Sequence, residues 1–272
     1  MQKDAVTISS YVLIAAAFSA FVRWIQNQAA FELETGLAKP DTIWGEATFL
    51  FCVIGIAGII WLVRRLWYRG LYPAQDYMSV IHGEQIWLHR ITRAIAGLMV
   101  IGAVIAFLIA GYELYSSIVR TMCVLAIAAA WAFVKLSELP FEEEPSPHKQ
   151  TLLAAIPVVM YVYWLVVSYR THAAIPSVWS YGLEIFALGA SILGMFYFAG
   201  YGFEFPRPYA ALGCLLTGAL LSLVTLLDDR NIGQSLMFVA GAAMQMYYAY
   251  MIITSMSPEW PEEPEEPEEA KE

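Results

Sequence analysis

The residues best suited to chemistry are ionisable side chains in or beside long apolar segments. Glu184 is the deepest of them, since Leu183 and Ile185 flank it inside an apolar block. A charge at that depth in a membrane is costly and needs a partner or a water-filled pocket. Arg120 and Arg170 lie at a suitable predicted depth. Two interpretations stay open, an outward-facing site for a small polar solute or ion and a structural ion pair that fixes helix packing. The second is favoured.

A second charged motif, Asp228-Asp229-Arg230, directly follows another apolar block. Paired aspartates bind Mg²⁺ and diphosphate in prenyl-transferring membrane enzymes, but those sites need further carboxylates at helical spacing. Gly233 and Gln234 stand where another carboxylate would be required. An exposed turn at a helix end therefore explains the motif more simply. The candidate outer vestibule consists of Arg120, Arg170, Glu184 and Asp228.

Histidine and cysteine form no recognisable metal or cofactor motif. His82, Glu84 and His89 lack the His-Glu-x-x-His spacing that places two imidazoles on one helical face. No histidine falls in the middle of an apolar block, which argues against haem ligation. Nucleophile-elbow, phosphate-loop and dinucleotide patterns are also missing from the sequence. We therefore predict no catalytic residue, no metal and no cofactor, and an enzyme is the less favoured class.

The elements that must position these residues are membrane-spanning helices. The chain is 59% hydrophobic and only 14% charged, whereas soluble proteins carry about 25% charged residues. Its apolar blocks have the length of about 20 residues that crosses a bilayer as a helix, and runs such as 94–110 lack the alternation of barrel strands. We predict an all-α polytopic bundle of eight transmembrane helices. The predicted spans are 6–25, 47–65, 91–112, 117–136, 150–169, 178–203, 208–227 and 235–255.

Lysine and arginine residues predict that both termini lie in the cytoplasm, with the bundle in the plasma membrane. In that orientation ten basic residues fall on the inner side and five on the outer side. Most of the bias comes from the loop between the second and third spans. The first span follows a nearly neutral flank, Lys3 and Asp4, which favours a retained anchor. Cleavage of this span is the alternative, and it would leave seven helices.

Two segments outside the spans carry further information. Residues 73–88 fit either a short interfacial helix or an ordinary loop, and a helix would carry one apolar stripe made of Tyr77, Val80, Ile81, Trp87 and Leu88. Residues 258–272 hold eight Glu and one Lys, and Pro-Glu-Glu occurs three times in succession. Such a composition predicts a disordered acidic tail attached to a single, nearly neutral membrane domain, residues 1–257.

Small and polar residues inside the spans predict helix packing. Gly55 to Gly58, Ala190 to Gly194 and Gly218 to Ser222 are spaced for close helix contact, within the bundle or in a dimer. Gln245 lies among methionine and tyrosine residues in the last span. It is expected either to line a cavity or to hydrogen-bond neighbouring helices.

These observations support three classes of function. The favoured class is an accessory, scaffold or sensor-like membrane subunit whose acidic tail makes cytoplasmic contacts. The alternative is a permease, or a subunit of one, with the charged vestibule facing outward. A membrane enzyme acting on lipid comes third. The expected partners are membrane lipid and a helix-packing protein or second copy, and no feature indicates nucleic-acid binding.

Overall fold

The computed structural model confirms the all-α membrane class. It describes residues 1–32, 37, 39, 42–74, 77–80, 86–112, 116–139, 147–172, 178–203 and 205–258. Within these ranges, eight helices are long and apolar enough to cross a membrane. They occupy the stretches in which the spans were predicted.

The described residues form nine α-helices, numbered in chain order. Three short 3-10 turns, at Ala110–Tyr112, Gly200–Phe203 and Thr225–Leu227, continue α4, α7 and α8. The single-turn α3 lies between two of the spans. The bounds are α1 (Gln2–Ala29), α2 (Trp44–Tyr68), α3 (Tyr77–Val80), α4 (Ile86–Ile109), α5 (Ser116–Glu138), α6 (Pro147–His172), α7 (Val178–Ala199), α8 (Pro208–Val224) and α9 (Ile232–Thr254).

The last helix, α9, lies at the centre of the bundle. It packs directly against α4, α8 and α1, and it is the most enclosed of the eight spans. The helices from α4 to α8 each pack against the next one along the chain, and α1 and α2 pack together on α8. Two ends are defined by this arrangement: the terminus end, which holds Met1 and Ser257, and the network end, which holds the α8–α9 link.

The division of α1 into two faces shows why it takes its position. Its buried residues recur every three or four positions and are mostly small or polar, whereas Phe18 and Phe21 point outward and are exposed. In a bilayer the outward face meets lipid, so bulky apolar side chains are stable there. Small side chains let neighbouring helix backbones approach closely.

The segment predicted as an interfacial helix or a loop forms the single turn α3, with residues 81–85 outside the described ranges. Tyr77 and Val80 are buried against the bundle. The Tyr77 hydroxyl donates to the Leu136 carbonyl at 3.3 Å. Burial, together with the phenols of Tyr248 and Tyr247, raises the pKa of Tyr77 well above its ordinary value, so the hydroxyl remains a donor. This part of the stripe therefore contacts protein.

The small residues lie at close helix contacts, as predicted. A Cβ on Gly194 would come within 2.8 Å of the Leu215 backbone nitrogen, and one on Gly55 would come within 2.9 Å of the Leu220 side chain. Gly218 faces Gln245, which is fully buried. These glycines allow the helix backbones to approach each other at the contacts around α8.

Gln245 forms hydrogen bonds to neighbouring helices, the second of its two predicted roles. Its side-chain nitrogen donates to the Ser191 hydroxyl at 3.0 Å and to the Tyr161 hydroxyl at 3.3 Å. These bonds join α9 to α7 and α6 near the middle of the spans. Because unsatisfied polar groups are costly in a membrane, they help to fix the register of three helices.

The predicted acidic tail lies outside the described residues from 259 onward. The chain reaches that point in a defined position, because Tyr72 and Ser257 form an antiparallel bridge. The amide of each residue donates to the carbonyl of the other, at 2.7 and 2.9 Å.

We expect Gly102→Ala to lower the thermal midpoint of the protein. The added Cβ would lie 2.8 Å from the Gly233 carbonyl oxygen, at the crossing of α4 and α9. Overpacking of this kind costs about 1–3 kcal/mol. Gly97→Ala is the matched control, because it lies in the same helix and has open space around it. Thermal unfolding in detergent measures both, and equal midpoints for the two variants would contradict the close crossing.

Candidate functional site: a buried charge network

The candidate site is centred on Arg230, in the link between α8 and α9. Its Nη2 atom lies 3.1 Å from Glu184 Oε2 on α7 and 3.3 Å from Asp228 Oδ2. Neither carboxylate is at the protein surface, since their side chains are 10% and 8% exposed. One guanidinium therefore bridges two buried carboxylates from different elements.

Arg23 of α1 completes the charge network from the other side of Asp228. Its Nε donates to Asp228 Oδ1 at 2.7 Å, and its Nη1 donates to Gln26 Oε1 at 2.8 Å. The side-chain amide nitrogen of Asn27 also donates to the Leu227 carbonyl at 2.9 Å. α1 is thus joined to the α8–α9 link by charge-assisted and neutral hydrogen bonds.

The charge network consists of two cations and two anions, so its formal charge is zero. This balance is what permits burial, because an isolated charge in a low-dielectric environment carries a large desolvation penalty. The link itself is held by local structure: the Asn231 side chain accepts from the Gln234 amide at 2.9 Å and caps α9. The members of the charge network are Arg23, Glu184, Asp228 and Arg230.

The structure brings together two of the four predicted vestibule residues. Glu184 and Asp228 both contact Arg230. Arg120 and Arg170 are exposed, and the guanidinium of Arg120 lies 5.3 Å from the centre of the Phe107 ring. Among the described residues the ion-pair partner of Glu184 is Arg230, so the expected pairing with Arg120 or Arg170 is corrected.

The interpretation of Asp228-Asp229-Arg230 as an exposed turn is wrong for two of its three residues. Asp229 is exposed, but the Asp228 and Arg230 side chains are turned into the bundle. The physical reason is that α1 and α7 bring Arg23 and Glu184 to the level of this link in the bundle. Once the link is buried there, Asp228 neutralises Arg23 and Arg230 neutralises Glu184.

Arg23 and Arg230 belong to the charge network but were missing from the predicted vestibule. A signal for Arg23 exists in the sequence. Counting in helical steps along the buried face of α1 from Val12 leads through Ala16 and Ser19 to Arg23 and Gln26. A basic residue that continues a stripe of small residues belongs to the protein interior.

Arg230 also contacts an aromatic side chain. Its guanidinium carbon lies 4.2 Å from the centre of the Phe238 ring, a cation–π distance. Trp164 packs on the same ring, with 4.4 Å between the ring centres. The Nε and Nη1 atoms of Arg230 are buried and lack a hydrogen-bond partner in the part of the chain that the structure describes. These donors are suited to a water molecule or an oxygen atom of a small ligand.

A lateral cavity of about 200 Å³ opens beside the charge network, between α1, α2 and α7. Arg23, Gln26 and Thr48 contribute its polar lining, and Phe49 and Phe186 are exposed at its edge. The mouth is therefore apolar and faces the lipid side of the bundle. Its size suits a few water molecules or a small group better than a long passage.

A larger terminal groove, of about 540 Å³, lies at the opposite end of the bundle. Aromatic and proline side chains line much of it, and Arg207 supplies a positive charge. The Tyr209 hydroxyl donates to the Leu71 carbonyl and so ties the start of α8 to the segment that follows α2. The residues used to define the terminal groove are Trp67, Gly70, Tyr72, Phe205, Arg207 and Tyr209.

No group of three or more metal-ligating side chains is found among the described residues. The three cysteines all lie among the described residues and form no disulfide; Cys52 and Cys123 are buried and Cys214 is partly buried. No protein-family model matches the chain, and no curated protein or solved structure is significantly similar to it. Function must therefore be argued from the site itself.

We expect Asp228→Asn to destabilise the protein strongly, because it leaves two buried arginines against one carboxylate. Removing one partner of a buried ion pair costs about 3–5 kcal/mol. Asp229→Asn is the matched control: its side chain is exposed, so the expected change is within about 0.5 kcal/mol. Thermal unfolding of both variants measures the difference. A similarly small effect at both positions would show that the charge network does not hold the bundle together.

Proposed function

We propose that this chain is an accessory, scaffold or sensor-like subunit of a multi-pass assembly in the plasma membrane, with both termini in the cytoplasm. The observation that carries the proposal is the mutual neutralisation of the charge network. Arg230 binds Glu184 and Asp228, and Asp228 also binds Arg23. Charges that are used to join helices are not available to bind and release an ionic solute.

The packing below the charge network supports the same function. Phe238 and Trp164 pack directly beneath Arg230, and the hydrogen-bonded Gln245 lies deeper on the same helix, α9. This sequence of contacts fills the space between α6, α7 and α9 with side chains. A rigid bundle is suited to holding other subunits in position.

The terminal groove provides the proposed contact surface. It lies at the end of the bundle that the distribution of basic residues predicts to be cytoplasmic, and Phe205 and Trp67 are both exposed there. Exposed aromatic residues around a concave surface, with one arginine among them, are typical of protein-binding sites. We propose membrane lipid along the outward helix faces and a protein at this groove as the partners.

A permease is the second candidate, and the lateral cavity is the observation that favours it. The cavity reaches Arg23 and Gln26 from the lipid side, and Arg230 retains two unpaired donors nearby. In this alternative, a small polar solute would enter at the network end and bind these groups.

Cysteine accessibility separates the two candidates. In a variant with Cys52, Cys123 and Cys214 replaced by alanine, Glu184→Cys is treated with a membrane-impermeant thiol reagent and its labelling rate is measured. The side chain of Glu184 is almost fully buried. In an accessory subunit, the cysteine at position 184 should therefore label at least about tenfold more slowly than an exposed thiol.

Asp229→Cys, in the same background, is the matched control, because Asp229 lies at the same end and is exposed. Slow labelling at position 184 with fast labelling at position 229 is the expected result. Comparable rates at the two positions, in a Glu184→Cys variant that still unfolds in one cooperative thermal transition, would overturn the accessory function and favour a water-filled permease vestibule.

A further inference from the structure

We propose that the acidic tail, residues 258–272, folds back and binds in the terminal groove of its own chain. The first support is the path of the chain at Ser257. Tyr72 and Ser257 are paired in antiparallel orientation by two backbone hydrogen bonds. In an antiparallel pair the residues after one partner run beside the residues before the other. The described chain is therefore directed from Ser257 towards Leu71 and Gly70, which line the groove.

The lining of the groove matches the composition of the tail. Trp67, Tyr72, Phe205 and Tyr209 supply aromatic surface, and the tail repeats Pro-Glu-Glu three times. Proline-rich segments favour the extended polyproline II conformation, and aromatic-lined grooves bind it at low conformational cost. The tail's own Trp260 offers a further aromatic side chain for such a surface.

Charge complementarity points to the same occupant. Residues 258–272 carry eight Glu and one Lys. Arg207 lines the groove and is exposed, and Arg64, Arg65 and Arg69 lie at the adjoining end of α2. Asp4 binds Arg69 at 2.9 Å. Of these four arginines Arg207 is the one that lines the groove, so it is the central cation of the proposed contact. Arginine is well suited to a row of glutamates because its guanidinium can bind a carboxylate through two hydrogen bonds.

The geometry of attachment makes this binding favourable. In the polyproline II conformation the tail extends by about 3.1 Å per residue, which is ample to follow a groove that begins beside Ser257. A tethered segment of this length reaches an effective concentration in the millimolar range, so even a weak contact is occupied. The inference rests on the proposed function in one respect: a partner that uses the terminal groove must first displace the tail.

Photo-crosslinking in the full-length chain tests the proposal. Phe205 is replaced by a photoreactive phenylalanine analogue, the protein is irradiated in lipid nanodiscs, and peptides joined to position 205 are identified by mass spectrometry. We expect an intramolecular adduct with residues 258–272. A synthetic peptide of residues 258–272 should reduce it severalfold only at concentrations above the millimolar effective concentration of the tethered tail, because both compete for the same groove.

Two matched pairs of variants serve as controls. The analogue placed at Phe186, an exposed aromatic position at the network end, should give no tail adduct. Arg207→Glu should reduce the adduct at position 205 at least severalfold, whereas Arg170→Glu, an exposed arginine at the other end, should leave it unchanged. Arg207→Gln and a thermal midpoint for each variant verify that the fold is retained.

An adduct with lipid only, with another protein, or with the tail of a second tagged copy would overturn the proposal, as would an adduct that Arg207→Glu leaves intact. These outcomes are distinguishable from failure of the proposed function, because labelling of Glu184→Cys does not depend on the tail.

Discussion

The structure depends on the bridging of Glu184 and Asp228 by Arg230. The Arg230 guanidinium joins α7 to the α8–α9 link. Asp228 of the same link also forms an ion pair with Arg23 on α1. Each of these charges would be unstable alone in the apolar surroundings of the bundle. Because the two positive and two negative charges balance, all four can be buried together. Their directional contacts then specify how α1, α7 and the α8–α9 link meet.

The two ends of the bundle differ as a consequence. At the network end, charge is enclosed and neutralised, while at the terminus end aromatic residues and Arg207 are left exposed around a groove. Between them the interior is filled by aromatic contacts and by the bonds of Gln245. This asymmetry favours a subunit that is held together at one end and makes contacts at the other. It also places the terminal groove beside Ser257, close to the end of the last helix.

Much of the fold could be predicted from the sequence, but the pairing within the site could not. Long apolar blocks predict helices directly. A segment that crosses the bilayer must be long enough to span it and must pair its own backbone N–H and C=O groups. Depth in a span correctly marked Glu184 as a buried charge. Depth alone does not say which helices are neighbours, and for that reason Arg120 and Arg170 were assigned to Glu184 in place of Arg230. The position of α1 beside the α8–α9 link, which buries Asp228, is a property of three-dimensional packing.

A double-mutant cycle on Glu184 and Arg230 tests the central claim most directly. The free energy of unfolding is measured for Glu184→Gln, Arg230→Gln and the double variant under identical conditions. If the pair neutralises itself inside the bundle, the double variant loses clearly less stability than the sum of the two single losses, by about 0.5–3 kcal/mol, the range found for contacting residues. Losses that simply add would show that the two side chains do not depend on each other and would contradict the account.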